Sequence, residues 1–142
     1  MVILFDRFNM PEDIFEVLFA TEQQKIVGKL LIKEMKKKNG EFSKSDMSNF
    51  AMDLHDGKIV TEIEHPKYKG KKVKLSYNKR QFYDRILTPM KGMGLIDYDL
   101  YKKTYKISDR FNKAMIKIGL MWVRELGRSE QQPQTSSQVE ID

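Results

Sequence analysis

The stretch Ser76–Ser108, SYNKRQFYDRILTPMKGMGLIDYDLYKKTYKIS, decides the fold. Ser76 is a good N-cap, and the residues after it carry a helical period. Phe82, Ile86 and Met90 fall on one side, with Tyr83 beside them, as the face to be buried. Tyr77, Arg80, Gln81 and Asp84 fall opposite, flanked by Asn78 and Arg85. Thr88-Pro89 is expected to disturb the helix near Leu87, because proline has no N–H to donate. Gly92-Met93-Gly94 breaks the period. Leu95–Asp99 and Lys103–Ile107 then form a hairpin pattern around a short polar connection.

Downstream, Ser108-Asp109 caps a last helix, Arg110–Leu126, with Gly127 as its stop. Phe111, Ala114, Met115, Ile118, Met121, Trp122 and Leu126 form one broad stripe on it; Ile116, Leu120 and Val123 add apolar surface elsewhere. A helix apolar on so much of its circumference requires more than one neighbour. One is expected to be the core. The other is either the N-terminal Ile3–Phe5 and Ile14–Phe19 segments or the same helix of a second subunit.

Upstream, Asn9–Asp13 reads as the start of a short helix to about Phe19, with Ile14, Phe15, Leu18 and Phe19 as its apolar side. Thr21-Glu22-Gln23-Gln24 is a capping box, and Ile26, Val27, Leu30, Leu31 and Met35 line the helix it opens. That helix ends in three lysines and Asn39-Gly40. Ser43–Asp46 opens another, with Met47, Phe50, Ala51 and Leu54 on one face and His55-Asp56-Gly57 at its end. Ile59–Glu64 and Lys71–Leu75 alternate in strand fashion, which makes a basic hairpin plausible.

The 142 residues carry a net charge of +6, unevenly spread. Met1–Glu22 holds five acids against one base, whereas Pro66–Lys91 holds nine bases against the single acid Asp84. Such a segment attracts polyanions. There is no cysteine, which excludes a disulfide scaffold, a zinc ribbon and a thiol nucleophile. The opening MVILFDRF is broken by Asp6 and lacks basic flanks, so no signal peptide is expected, and no apolar run is long enough to span a bilayer. A soluble, cytoplasmic chain without membrane partners is the expectation.

The order helix, helix, helix, hairpin, helix resembles the winged helix-turn-helix superfamily, most specifically over Ser76–Ser108, where a capped polar helix runs through Met90–Ile96 into a charged hairpin. Helices before and after this core are similar to the layout of MarR-like and PadR-like regulators. The implied fold is mainly α with a small β-hairpin wing, an α+β arrangement with flanking N- and C-terminal helices. Residues 1–20 would pack on the core or a dimer interface, 21–126 would form the winged-helix domain with its C-terminal helix at 109–126, and 127–142 would be a flexible polar tail. One departure stands out: His55–Leu75 occupies the place of a tight turn between the second and third helices. Either a basic hairpin is inserted there or the helix assignment shifts by one element.

The implied function is sequence-specific binding of duplex DNA as a transcription regulator, by a homodimer. Tyr77, Arg80, Gln81 and Asp84 are the base-facing candidates, because arginine and glutamine can bond two positions on a base edge at once. Lys67, Lys69, Lys71, Lys72, Lys74, Ser76, Arg85, Lys102 and Lys103 are the phosphate-facing candidates. Tyr98, Tyr101, Tyr105 and Lys106 are further hairpin residues that could serve either strand structure or contact. Phe111, Met115, Ile118 and Trp122 are the expected dimer interface. If about five lysines meet phosphates, affinity should fall with salt at a log–log slope near −4 to −5. The alternative is a winged-helix protein-interaction or RNA-binding module of a transcription or replication assembly.

No enzyme is expected. His55, Asp56, Glu62, Glu64 and His65 are the only concentrated candidate ligands, and they match no metal-ligand spacing such as HExxH. No phosphate-binding loop or nucleophile elbow is present, and no cofactor is implied.

Overall fold

The structure, a computed structural model, describes residues 6–62 and 72–131. It is mainly helical, with a small three-stranded antiparallel sheet and a separate two-stranded ribbon.

Helix α1 (Ile14–Leu18) starts later than the sequence suggests. Asp13 caps it, accepting from Phe15 N, whereas Asn9 is engaged in a turn of its own in which it and Asp6 exchange hydrogen bonds. Helix α2 (Glu22–Lys37) is capped by Thr21, which accepts from Gln24 N. Asn39 and Gly40 end it at φ 58° and 78°, and Gly40 N donates back to Met35 O. Val27, Leu30, Leu31 and Met35 are its buried face, and the Phe19 ring lies over Gly28.

Strand β1 (Glu41–Ser43) has no counterpart in the sequence reading. Three residues offer too short a run for alternation to show. Ser43 closes β1 and caps helix α3 (Lys44–His55) in a reciprocal box with Asp46. Met47, Phe50, Ala51 and Leu54 are buried, and Gly57 at φ 69° turns the chain after the helix. Strands β2 (Ile59–Glu62) and β3 (Lys72–Leu75) pair antiparallel. A two-stranded ribbon therefore stands where a hairpin of Ile59–Glu64 and Lys71–Leu75 was expected, and residues 63–71 lie outside the described residues.

The next helix is a continuous rod of three pieces: α4 (Lys79–Phe82), a π turn (Tyr83–Leu87) and α5 (Thr88–Gly92). Pro89 does not end it. A proline at this place cannot donate to the carbonyl four residues back and its ring crowds that carbonyl. Opening the preceding turn to π width, with Thr88 N reaching Tyr83 O, accommodates it. The wider turn also keeps Phe82, Ile86 and Met90 on one face, all buried. Phe82 stacks at 5.5 Å from Phe50, which in turn lies 6.2 Å from Phe42. These rings tie the rod to α3 and β1.

Strands β4 (Ile96–Asp99) and β5 (Thr104–Ile107) form the expected hairpin, and β5 also pairs with β1, giving the order β1-β5-β4. Helix α6 (Arg110–Gln131) follows. Its root is fixed by Arg110 N donating to Ser108 Oγ and Phe111 N donating to Gly94 O. Two expectations about it fail. Gly127 lacks the positive φ of a helix stop, so the helix runs through it to Gln131, and the polar tail cannot begin at 127. Nor does the core run along it: only its root, at Arg110 and the half-buried Phe111, meets the folded body, and α2, α3, α5 and the sheet already close the core. Among the described residues no other element packs along α6.

Candidate nucleic-acid interface

The exposed side of the α4–α5 rod carries Arg80, Gln81, Asp84, Arg85 and Thr88 on one stripe. Asn78, not Ser76, caps the rod, accepting from Gln81 N at 3.1 Å. The change of cap matters for Tyr77. Leu75 and Tyr77 are buried while Ser76 and Asn78 are exposed, so the strand alternation of β3 persists past its last ladder residue. Tyr77 is therefore a core side chain, 5 % exposed, and cannot face a base. Its N–H donates to Leu54 O at 2.9 Å.

Three tethers position the start of the rod. Tyr77 N and Lys79 N reach the end of α3, at Leu54 O and His55 Nδ1, and Gln23 Nε2 donates to Ser76 O. Farther along, burial raises the Tyr83 hydroxyl pKa, a hydrogen bond with Ser48 pulling the other way. Tyr83 thus holds the inner side of the rod as a neutral group. On the outer side Arg80 Nε lies 3.8 Å from Asp84, with side chains 91 % and 67 % exposed. So open a pair contributes little to stability.

At the hairpin tip, Asp99 Oδ1 accepts from Tyr101 N and Lys102 N, making a turn with Lys103 at φ 51°. Leu100 and Tyr101 project from it at 76 % and 98 % exposure, beside exposed Lys102 and Lys103. Lys44 N, the first residue of α3, donates to Lys103 O and braces the stalk. The hairpin tyrosines separate by role. Tyr105 is buried and Tyr98 half-buried, their rings 4.6 Å apart, with Lys91 Nζ within about 6 Å of both. Burial, and then the neighbouring Tyr83 and Tyr98, raise the Tyr105 pKa. Lys106 pairs with Glu41 at 4.0 Å. Only Tyr101 is free to meet a partner.

Of the other expected phosphate contacts, Ser76 and Arg85 are exposed near the rod. Lys72 and Lys74 sit on β3, in register with Glu62 and Val60. Lys67, Lys69 and Lys71 lie outside the described residues. The structure brings Arg80, Gln81, Asp84 and Arg85 together, whereas Lys102 and Lys103 belong to a separate projection. Sequence reasoning missed Thr88, because Thr88-Pro89 was read as a disturbance of the helix rather than as part of its outer face, and gave Leu100 no role.

The expected dimer residues are exposed, except that Phe111 is half-buried at the root of α6; Met115, Ile118 and Trp122 are 37 %, 56 % and 64 % exposed. Among the described residues no group of three or more histidines, cysteines or acids could hold a metal, and no helix is long and apolar enough to cross a membrane. Glu64 and His65 lie outside those residues. Comparison with known protein families, characterised proteins and solved structures finds no match for the chain.

Proposed function

We propose that the chain is a winged-helix protein that binds duplex DNA, reading bases with Arg80, Gln81 and Asp84 and phosphates with Arg85, Lys102 and Lys103. One observation carries this reading: a rod whose inner face is locked into the core leaves a polar stripe outward, next in sequence to a hairpin whose tip carries Lys102 and Lys103 beside Leu100 and Tyr101. The strand order β1-β5-β4, with β1 between the first two long helices, supports the winged-helix assignment. A helix whose back is rigidly held can enter a major groove without losing order, and its arginine and glutamine have the donors and acceptors for base edges. The hairpin lysines suit phosphate because they are point charges rather than planar forks.

Selection from a random duplex pool, followed by gel shift at fixed salt, tests it. Arg80→Ala is expected to cost about 1 to 3 kcal/mol on the selected site and to relax preference at one position. Lys102→Ala with Lys103→Ala is expected to weaken all duplexes alike and to flatten the salt slope by about 2. Tyr101, an open ring suited to stacking, keeps RNA in the comparison. Tighter binding to a structured RNA than to any selected duplex would replace the DNA reading.

A further inference from the structure

Helix α6 is 22 residues long, on the order of 33 Å at the α-helical rise. Five large apolar side chains of its stripe, Met115, Ile118, Met121, Trp122 and Leu126, stand open to solvent, from 37 % at Met115 to 64 % at Trp122. Together they leave on the order of 500 Å² uncovered, at the upper end of the largest patch of an ordinary monomer, about 300 to 600 Å². That is more than half of the roughly 800 Å² that each partner of a standard interface buries. We propose that α6 pairs antiparallel with α6 of a second copy of this chain, Phe111 facing the partner's Trp122 and Met115 facing the partner's Ile118. The inference is independent of the DNA reading.

Three observations choose this occupant and this direction. The first is spacing: Phe111, Met115, Ile118 and Trp122 recur at four, three and four residues, the interval of a helix seam. In an antiparallel pair they form four layers, in which each large ring meets the other. Ala114 and Gly119 flank the seam and allow close approach.

The second is charge. A basic edge of Arg110, Lys113, Lys117, Arg124 and Arg128 runs along one side of α6, and Glu125 is the acid that falls on the apolar stripe within residues 110–128. Parallel pairing sets Glu125 against its own copy, a like-charge contact. Antiparallel pairing carries each Glu125 to the basic first turns of the other helix. Glu125 already lies 3.7 Å from Arg128 of its own helix, and the antiparallel direction adds the partner's first-turn bases to that pair.

The third is where the domain sits. Phe111 belongs to the stripe and is half-buried, so at its root the stripe faces its own folded body. Two helices whose axes lie about 8 to 10 Å apart, run in parallel, would drive the two bodies into each other. Run antiparallel, each body receives only the free end of the partner helix.

The chain lacks cysteine and has one tryptophan, at the seam, so the test is direct. Sedimentation equilibrium of the full chain at micromolar concentration is expected to give a dimer. Ile118→Glu is expected to weaken it by roughly 100-fold or more. Leu120→Glu, on the opposite stripe, is expected to leave it within about threefold. Circular dichroism checks that both variants keep their helix. For direction, Ala114→Cys and Met121→Cys are mixed and treated with a short bis-maleimide. The mixture is expected to cross-link and neither variant alone. A wild-type monomer overturns the pairing. Dissociation by Leu120→Glu but not by Ile118→Glu overturns the choice of face. Cross-linking of each variant with itself overturns the antiparallel direction.

Discussion

Helices α2 and α6 are the two longest in the molecule, and both carry apolar residues at helical spacing, yet only one is covered. In α2 the stripe Val27, Leu30, Leu31 and Met35 lies against α1, the π turn and the sheet, with at most 6 % of each side chain exposed. In α6 none of residues 110–128 is buried. Helical period therefore tells which face of a helix seeks cover, and leaves open which molecule supplies it.

The comparison breaks most visibly in stability. Leu31→Ala is expected to cost about 2 to 5 kcal/mol in urea unfolding, since it opens a cavity in a closed core. Leu120→Ala is expected to change stability by less than about 0.5 kcal/mol. Similar losses in the two would show that α6 is part of the folding unit after all. The junction between the regions comes next. Gly94 has φ 85°, and a Cβ there would stand 2.9 Å from Phe111 N and 3.0 Å from the Arg110 carbonyl carbon. Both sets of atoms are backbone and cannot swing away, so Gly94→Ala is expected to cost about 1 to 3 kcal/mol, read as a lowered thermal midpoint.

On the covered side, Ser43→Ala removes half of the reciprocal cap of α3 and is expected to cost about 1 kcal/mol. The other half is pH-sensitive. Hydrogen bonds from Lys38 and from Ser43 N hold the Asp46 carboxyl below its ordinary 3.8. A depressed folded value gives stability that is present above the unfolded pKa and is lost as pH falls through the folded one. Urea midpoints should therefore drop below about pH 3.8, and less so in Asp46→Asn. The smallest effect belongs to α6. On dilution through the dimer range the Trp122 emission should shift to the red without change in helix content. A constant emission maximum would count against a covered Trp122.

Most of the fold was legible because its signals are local. Thr21, Ser43 and the Asn39-Gly40 stop act through atoms a few residues away, and the buried faces of α2, α3 and the rod follow from period alone. The misreadings came where two local rules compete. Ser76 is a sound cap by composition, but the alternation of Leu75 and Tyr77 carries extended backbone one step further, and Asn78 takes the role. The disturbance expected at Thr88-Pro89 is present, but as a π turn over Tyr83–Leu87 through which the helix continues. Gly127 has a stop's identity without a stop's backbone. Strand β1 was invisible because pairing with β5, more than sixty residues away, makes it a strand. For the candidate interface, Arg80, Gln81, Asp84 and Arg85 could be placed from the period, whereas Tyr77 could not, since its burial depends on the helix start.

The order β1-β5-β4 leaves β4 at the rim of the sheet, and its side chains bear on how this protein keeps its associations specific. An unpaired strand is a template for further strands, the growth point of disordered aggregates. Strand β4 presents Asp97 and Asp99 along that rim, the first bound to Arg110 at 3.0 Å and the second committed to the hairpin turn. A second β4 laid alongside would bring its own aspartates against these. Strand β4 thus carries a charged guard against fibrous growth along its own edge, and neutralising both aspartates would remove that guard together with the Asp97–Arg110 contact at the root of α6.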